Sequence, residues 1–413
     1  MSGTRTPVAW HVTDWYHDPY SRGSWSVVRP GGSPADRAAL GMPVDDRFVL
    51  AGEATHPEQA AMTHGAWETG VRAAGWAIDG GAESVIVVGA GFAGLGAART
   101  LHDAGVEVVV VEARERIGGR AHTIELDGVG VDVGAAWLQQ FPRNGLARRA
   151  EQLGLPLRST TFAAPLAAAP DGAVGDVPAA LHDLAALASI DDTRPLSTIF
   201  RPHLDALSSG DRRVAQFAID ADLVLESGVG LDEMSAWAFD EPGVGTDDHF
   251  LVGGYGQLID DASSGLDIRL DRPVRRIAWD GGGVDVDGEH ADRCICTIPI
   301  AALHGVVLDP ELPPGHRTAL SRLTTGRVEK VVLRFADRWW PVAPGGYLRW
   351  YDTPASWGEW LDLTDGVGAP TVAGLIAGDA VERHHGGRTE REIAFAAADA
   401  FGRWADAVAG GCG

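Results

Sequence analysis

The chain reads as α/β, with a Rossmann-like dinucleotide-binding domain and a second domain of mixed sheet and helices. Three observations predict this. Val85-Ile86-Val87-Val88 is a run of branched residues suited to a buried strand. Gly89, Gly91 and Gly94 follow at G-x-G-x-x-G spacing. After an apolar-periodic helix from Leu95 to Ala104, a second strand from Val106 to Val111 ends on Glu112, 23 residues beyond Gly89. Each part has its physical reason: Gly89 turns tightly, Gly91 admits a pyrophosphate against bare backbone, and Gly94 lets helix and strand pack closely. The helix N-terminus faces the phosphates, and Glu112 accepts hydrogen bonds from a ribose diol. The glycine spacing alone means little in a chain with 54 glycines. Strand, helix and terminal acid in register make it a dinucleotide site.

Composition bounds the rest. The 413 residues can hold two ordinary domains, and 45% hydrophobic content without charge blocks describes a well-packed globular protein. The opening MSGTRTPVAWHVTDW has no apolar leader segment, and no apolar run is long enough to span a membrane. Cys294 and Cys296 alternate along one strand and Cys412 lies in a glycine-rich tail. They form no disulfide framework, so a cytoplasmic location is expected. A formal charge of −23 disfavours nucleic acid and anionic membranes as partners and mildly favours cationic ligands. No histidine or cysteine spacing calls for a metal. The Ala-rich stretch 162–188 reads as helix and loop.

The run VIVVGAGFAGLGAARTLHDAGVEVVVVEARERIGGR resembles the FAD-binding signature of the flavin amine oxidase superfamily, which includes monoamine, polyamine and many L-amino-acid oxidases. The resemblance implies that Gly118, Gly119 and Arg120, with Arg114 in the same run, lie along the FAD diphosphate and ribityl chain. A Gly-Gly-Arg turn presents bare backbone N–H groups and a fork of donors to a dianion.

Segments that normally close this family's sequence here come first. Trp15-Tyr16-His17-Asp18-Pro19-Tyr20-Ser21-Arg22-Gly23-Ser24-Trp25-Ser26 resembles its late W-x-x-D-P-Y-x-x-G-S-Y-S motif. Phe48 to Glu53, then Thr63-His64-Gly65-Ala66, resemble its F-A-G-E and H-G-A elements. The order is that of a circular permutation, with the old terminal helix, about Thr63 to Ile78, joined to the first strand through residues 79–84. Met1 and Gly413 are then expected to be neighbours. A fusion of an unrelated fragment to a truncated oxidase is disfavoured.

Of 34 basic residues only Lys330 is lysine. Its setting, G-R-V-E-K ahead of Trp339-Trp340, resembles the segment in which the family's lysine holds a water against flavin N5; Trp340 completes that pattern. A compact ammonium suits water bridging better than a guanidinium. By the same resemblance Gly134, Ala135 and Trp137 pass beside the flavin and the Val274 backbone meets the adenine. Thr297-Ile298-Pro299 re-enters the FAD domain, Glu53 after Gly52 accepts from the ribityl chain, and the helix from Thr63 to Ala66 aims its N–H groups at the flavin pyrimidine. Ser24 replaces the cysteine that tethers flavin in monoamine oxidases, so non-covalent FAD is expected. The two family tyrosines that flank the amine are replaced by Trp25 and Met62, and Gln139 stands where polyamine oxidases carry an acid or histidine, which disfavours a polyamine. His64 reads either as a proton relay or as a helix-terminal histidine bonded to backbone.

The FAD domain is expected from 20–155 and 246–305, and the substrate domain from 1–19, 156–245 and 306–413. The implied reaction is oxidation of an amine C–N bond by hydride transfer to flavin N5, with O2 reoxidising the flavin to give H2O2. Alternatives are an L-amino-acid oxidase, which needs a pocket arginine, or a tailoring amine or amide oxidase of secondary metabolism. A C–C desaturase and a non-catalytic FAD-binding regulator are further rivals, both disfavoured by Lys330. The assembly is left open, a dimer among the options.

Overall fold

The computed structural model describes residues 5–162, 164–188, 192–237, 248–343 and 345–411. Met1, Gly413 and Cys412, on which sequence expectations were placed, lie outside these residues. The chain divides into two units.

One unit takes His17–His122 and Tyr255–Thr325. At its centre is a five-stranded sheet, ordered Asp267–Arg269, Glu107–Val111, Ser84–Val88, Arg293–Cys296, Phe48–Leu50, with every neighbouring pair parallel. Parallel strands need crossovers, and the helix Phe92–Asp103 connects Ser84–Val88 to Glu107–Val111. Val87 and Val110 are wholly buried, as near-continuous apolar strands covered on both faces must be. Cys294 and Cys296 point into one core with Ile86, Val88 and Phe48, and burial pushes both thiols up, Cys296 to about 12. The helix Thr63–Asp79 packs along Phe92–Asp103 at glycine contacts: a Cβ on Gly70 would stand 1.9 Å from the Ala93 carbonyl oxygen. A four-stranded sheet of Glu289–Ala291, Gly283–Val286, Arg276–Asp280 and Val307–Asp309 adds to this unit.

The other unit takes the residues up to Tyr16, Thr123–Gly254 and those from Gly326 on. Its six-stranded sheet runs Ala9–Val12, Val328–Arg334, Thr371–Ala377, Glu359–Asp362, Tyr347–Trp350, Leu166–Ala168. Successive side chains of a strand face opposite ways. One face, with Val331, Leu333, Leu348, Trp360 and Ile376, meets Ala394, Ala397, Phe401 and Trp404 of the helix Glu390–Gly411. The other face carries Val332, Tyr347, Leu361 and Ala373, packed with Val131, Val133, Ala136 and Phe250. The helix Ser209–Ala218 passes into a π-helical turn, Ile219–Val224, then Leu225–Ser227, and stops at Gly228, which is left-handed at φ 76°.

These boundaries differ from those read in the sequence. Residues 123–155 fall in the six-stranded unit and 306–325 with the parallel sheet. The hairpin Thr123–Leu126/Val129–Asp132 buries Val131 in the core shared with Val332 and Tyr347, and Val307–Asp309 pairs with Arg276–Asp280.

Candidate active site

In the parallel-sheet unit the dinucleotide motif has the shape its glycines require. Gly89 sits at φ 102°, and a Cβ on Gly94 would lie 1.8 Å from the Gly89 carbonyl oxygen, so nothing larger than glycine fits there. A Cβ on Gly91 would meet nothing closer than the Gly118 oxygen at 3.9 Å; this open trough is where backbone can approach a phosphate. Gly118 N donates to Ala90 O at 2.8 Å and Gly91 bridges to Gly118, which fixes the second glycine pair against the first. Glu112 is buried, its Oε2 accepting from Ala90 N at 2.8 Å and its Oε1 from Arg114 N at 2.9 Å. Two backbone donors orient the carboxylate and leave it capacity for a ribose diol. The helices beginning at Phe92 and Thr63 lack side-chain caps, and Tyr255 ties their starts together. Its hydroxyl lies 3.0 Å from Thr63 Oγ1 and its ring meets Phe92 edge-on.

The early segment is fastened to this motif. Arg114 Nη2 bonds Asp18 Oδ1 at 2.6 Å and Ser21 Oγ at 2.9 Å, and its guanidinium covers Tyr20. Arg120 Nη1 donates to Ser24 O at 2.6 Å and to Glu53 Oε1 at 3.0 Å. Glu53 also accepts from Ser26 Oγ and Ala61 N. Burial alone would raise its pKa; the Arg120 and Arg37 cations outweigh that and hold it below the ordinary range. Gly52, beside it, has open space where a side chain would go. Ala66 and Val274 are half-buried. Val274 packs against the core that contains Val111.

Trp25 is half-buried and Met62 is buried at the N-cap of its helix. His64 is 3% exposed and bonds the Gln59 side chain at 3.2 Å. Burial lowers its pKa, and its partner is the Gln59 side chain rather than the backbone expected of a helix-terminal histidine.

In the six-stranded unit Lys330 is buried. Its Nζ donates to Gly134 O at 2.7 Å and Asp132 O at 3.1 Å, and it lies 5.6 Å from the Trp137 ring centroid. Burial brings its pKa down to about 8 against the pull of Asp132 and Glu359. Gly134 and Trp137 therefore meet Lys330; Ala135 and Gln139, on the same stretch, are half-buried. Trp340 does not join them. It belongs to the core of Val331, Leu333 and Phe401, on the face of the sheet opposite Lys330, and its Nε1 donates to Asp362 at 2.9 Å. The alternation of Val328–Arg334 separates the two, so the ten-residue spacing marks packing rather than a shared site.

The face that carries Lys330 holds a charged row that sequence reading missed. Lys330 pairs in register with Leu375, Leu375 with Glu359, and Glu359 with Arg349. Arg349 Nη1 lies 3.0 Å from Glu359 Oε2, and Tyr347 donates its hydroxyl to Glu359 Oε1. Arg349 Nη1 also donates to Ala221 O in the π-helical turn at 3.2 Å, and Nη2 lies 3.7 Å from Asp222 Oδ1. Burial, reinforced by Glu359, pushes Glu226 up to about 8; burial likewise raises Asp222 and Glu359. The signal was present: Arg349 is a charge inside the otherwise aromatic and aliphatic strand YLRW, and Glu359 heads the strand EWLD. A small pocket, partly open to solvent, flanks the row, lined by Asp220, Ala221, Leu225, Tyr351, Gly358 and Ala377 among others.

A family model described as flavin containing amine oxidoreductase matches residues 3–77, 92–220 and 228–406. The chain belongs to that family. Polyamine oxidase 4 of Oryza sativa subsp. japonica is 32% identical over 340 residues, covering 71% of this chain and 67% of that protein. Lysine-specific histone demethylase 1 homolog 3 of the same plant is 30% identical over 334 residues, 72% of this chain but 41% of that protein. A solved putrescine oxidase bound to putrescine shares the fold, at TM-score 0.60 and 22% identity over 79% of this chain and 82% of that one. This flavin amine oxidoreductase therefore uses FAD to oxidise amines. The residues fit the cofactor: the glycine trough at Gly91, Gly118 and Gly119, the oriented Glu112 and the uncapped helix starts suit a dinucleotide. Among the described residues no group of histidine, cysteine, aspartate or glutamate could hold a metal, and no helix is long and apolar enough to cross a membrane.

Proposed function

We propose that this chain oxidises a di- or polyamine at a C–N bond, binding the substrate's second ammonium against Asp222, Glu226 and Glu359. The observation that carries this reading is the buried row, in which three carboxyl groups face one guanidinium on the Lys330 side of the sheet. Crowding buried acids beside one another is costly, and a substrate ammonium would offset part of that cost. The reading revises the expectation from Gln139: the acid absent at that position is supplied from other elements. It also answers the amino-acid alternative. A buried arginine exists, but Glu359 and Asp222 already hold Arg349, and the surrounding negative charge disfavours a carboxylate substrate.

FAD, when bound, supplies the two-electron acceptor for the amine's α-hydrogen. We assign its binding to Gly89, Gly91, Gly94, Glu112, Arg114, Gly118, Gly119, Arg120, Gly52, Glu53, Thr63, Ala66, Gly134, Ala135, Trp137 and Val274, non-covalently because Ser24 offers no thiol. Lys330 uses two N–H bonds on the carbonyls of Asp132 and Gly134 and keeps a third for a water that takes part in turnover. Trp25 is assigned to the substrate, offering a π face to the amine, and Met62 and Gln139 are assigned to it as well. O2 is the proposed terminal acceptor, giving H2O2; the setting is cytoplasmic, with a dimer as a working assembly and secondary metabolism as a source of substrate.

The circular permutation belongs to the same proposal. Motif order supports it, as does the close pairing of Arg5 with Asp406 at 2.6 Å and of Trp10 with Phe395, ring centroids 5.4 Å apart. The substrate reading is tested by kcat/KM for α,ω-diamines and for monoamines of equal length. A preference for diamines that Glu226→Gln abolishes supports it; equal use of both by the wild type overturns it.

A further inference from the structure

We propose that Arg349 is a positioning residue that sets the amine specificity of this enzyme by fixing both the geometry and the charge of the acid row. The inference rests on the reading that the row takes an ammonium, and it concerns a residue that would not touch substrate.

The argument begins with the π-helical turn. Between Ser209–Ala218 and Leu225–Ser227 the backbone widens to i→i+5 bonding over Ile219–Val224, a rare form that persists where something holds it. Arg349 reaches this turn with one nitrogen on the Ala221 carbonyl and the other near Asp222. The guanidinium simultaneously engages Glu359 on the adjoining strand, and Tyr347 closes the other carboxylate oxygen. One side chain, 5% exposed, thus spans strand Tyr347–Trp350, strand Glu359–Asp362 and the turn. A planar fork can do this; an ammonium on a flexible stem cannot reproduce all three contacts.

Charge follows from the same geometry. Asp222, Glu226 and Glu359 with no cation among them would protonate rather than remain ionised. The Arg349 guanidinium opposes the burial that raises Glu359 and Asp222, so a second ammonium meets more negative charge there than it would without that cation. Asp220 and Asp352 face the neighbouring cavity and Lys330 lies along the same row; of the cations, Arg349 is the one placed against two of the row's acids.

The test is steady-state kinetics of the flavin-loaded enzyme with an α,ω-diamine and a monoamine of equal length, for wild type, Arg349→Met, Arg349→Lys and the paired variant Arg349→Met/Glu359→Gln. The expected result is a KM for the diamine raised at least roughly tenfold in Arg349→Met, the loss of about one charge-assisted contact, with monoamine kcat/KM and diamine kcat within about threefold of wild type. Arg349→Lys should recover only part of the loss. The pH dependence of the diamine KM should move to higher pH in Arg349→Met, because the acids then need higher pH to ionise. Should Arg349→Met fail to fold, Arg349→Lys, which keeps a cation but not the planar fork, carries the comparison; the paired variant also removes Glu359 from the row and is read for folding alone. Equal losses for diamine and monoamine, or a pH profile unchanged beside a lost diamine preference, would overturn the proposal. A wild type without diamine preference fails the substrate reading itself and takes this inference with it, whereas a diamine preference insensitive to Arg349 but lost in Glu226→Gln fails the inference alone.

Discussion

Holding an ammonium inside a sheet face needs acceptors, and Lys330 has the carbonyls of Asp132 and Gly134. Lys330→Met removes the charge and the N–H proposed to hold a water while preserving much of the bulk. The expected outcome is turnover in air slowed at least about tenfold with unchanged flavin-to-protein ratio, read by stopped-flow reoxidation; this magnitude is typical of a lost positioned proton donor. Glu226 makes a stability prediction with a definite sign. Burial and the neighbouring Glu359 push its carboxyl up to about 8 in the folded chain without substrate, against an ordinary 4.5. Between those values the folded state carries a proton that the unfolded state lacks, so folding weakens as pH rises through that window. Glu226→Gln removes the effect. Its melting temperature should gain on wild type progressively from about pH 5 to pH 8, and the gap should be flat below pH 4. A gap that narrows with rising pH would show that Glu226 is stabilised as an anion instead.

At the scale of elements, two helix glycines separate close packing from mere composition. Gly94→Ala must force the helix Phe92–Asp103 off the strand end, because its Cβ would overlap the Gly89 carbonyl. Loss of bound FAD and a lower melting temperature are expected. Gly75, in the helix Thr63–Asp79, has nothing within 4 Å of where a Cβ would stand. Gly75→Ala should stabilise by roughly 0.5–1 kcal/mol, measured by denaturant unfolding with flavin content unaffected. The contrast also explains what could be read from sequence. The βαβ unit was legible because its strand, glycine turn, helix and acid are contiguous, and their periodicity is local. The acid row was not, because Lys330, Glu359 and Arg349 meet only through the register of four strands, and Asp222 and Glu226 arrive from a π-helical turn that no periodicity announces. Trp340 misled for a related reason: spacing along the chain does not say on which face of a sheet a side chain lies.

For the whole molecule, the proposed permutation makes a prediction of connectivity. A chain joined from its last residue to its first through a short Gly/Ser linker and opened within residues 80–82 should fold, bind FAD and keep its melting temperature within a few degrees. Natural termini tolerate such relocation when they are close and exposed, and the Arg5–Asp406 pair is both. Insoluble protein without flavin from this rearrangement would contradict the permuted reading. The central claim, an FAD-dependent amine oxidation directed to di- or polyamines by a buried acid row, has a more direct test. It is anaerobic mixing of the flavin-loaded protein with an α,ω-diamine and, separately, with a monoamine of the same length, following flavin absorbance. The account predicts rapid bleaching by the diamine at low concentration, slow bleaching by the monoamine, and return of colour on admitting air. Equal bleaching by both, or bleaching by neither while dithionite still reduces the flavin, would contradict it.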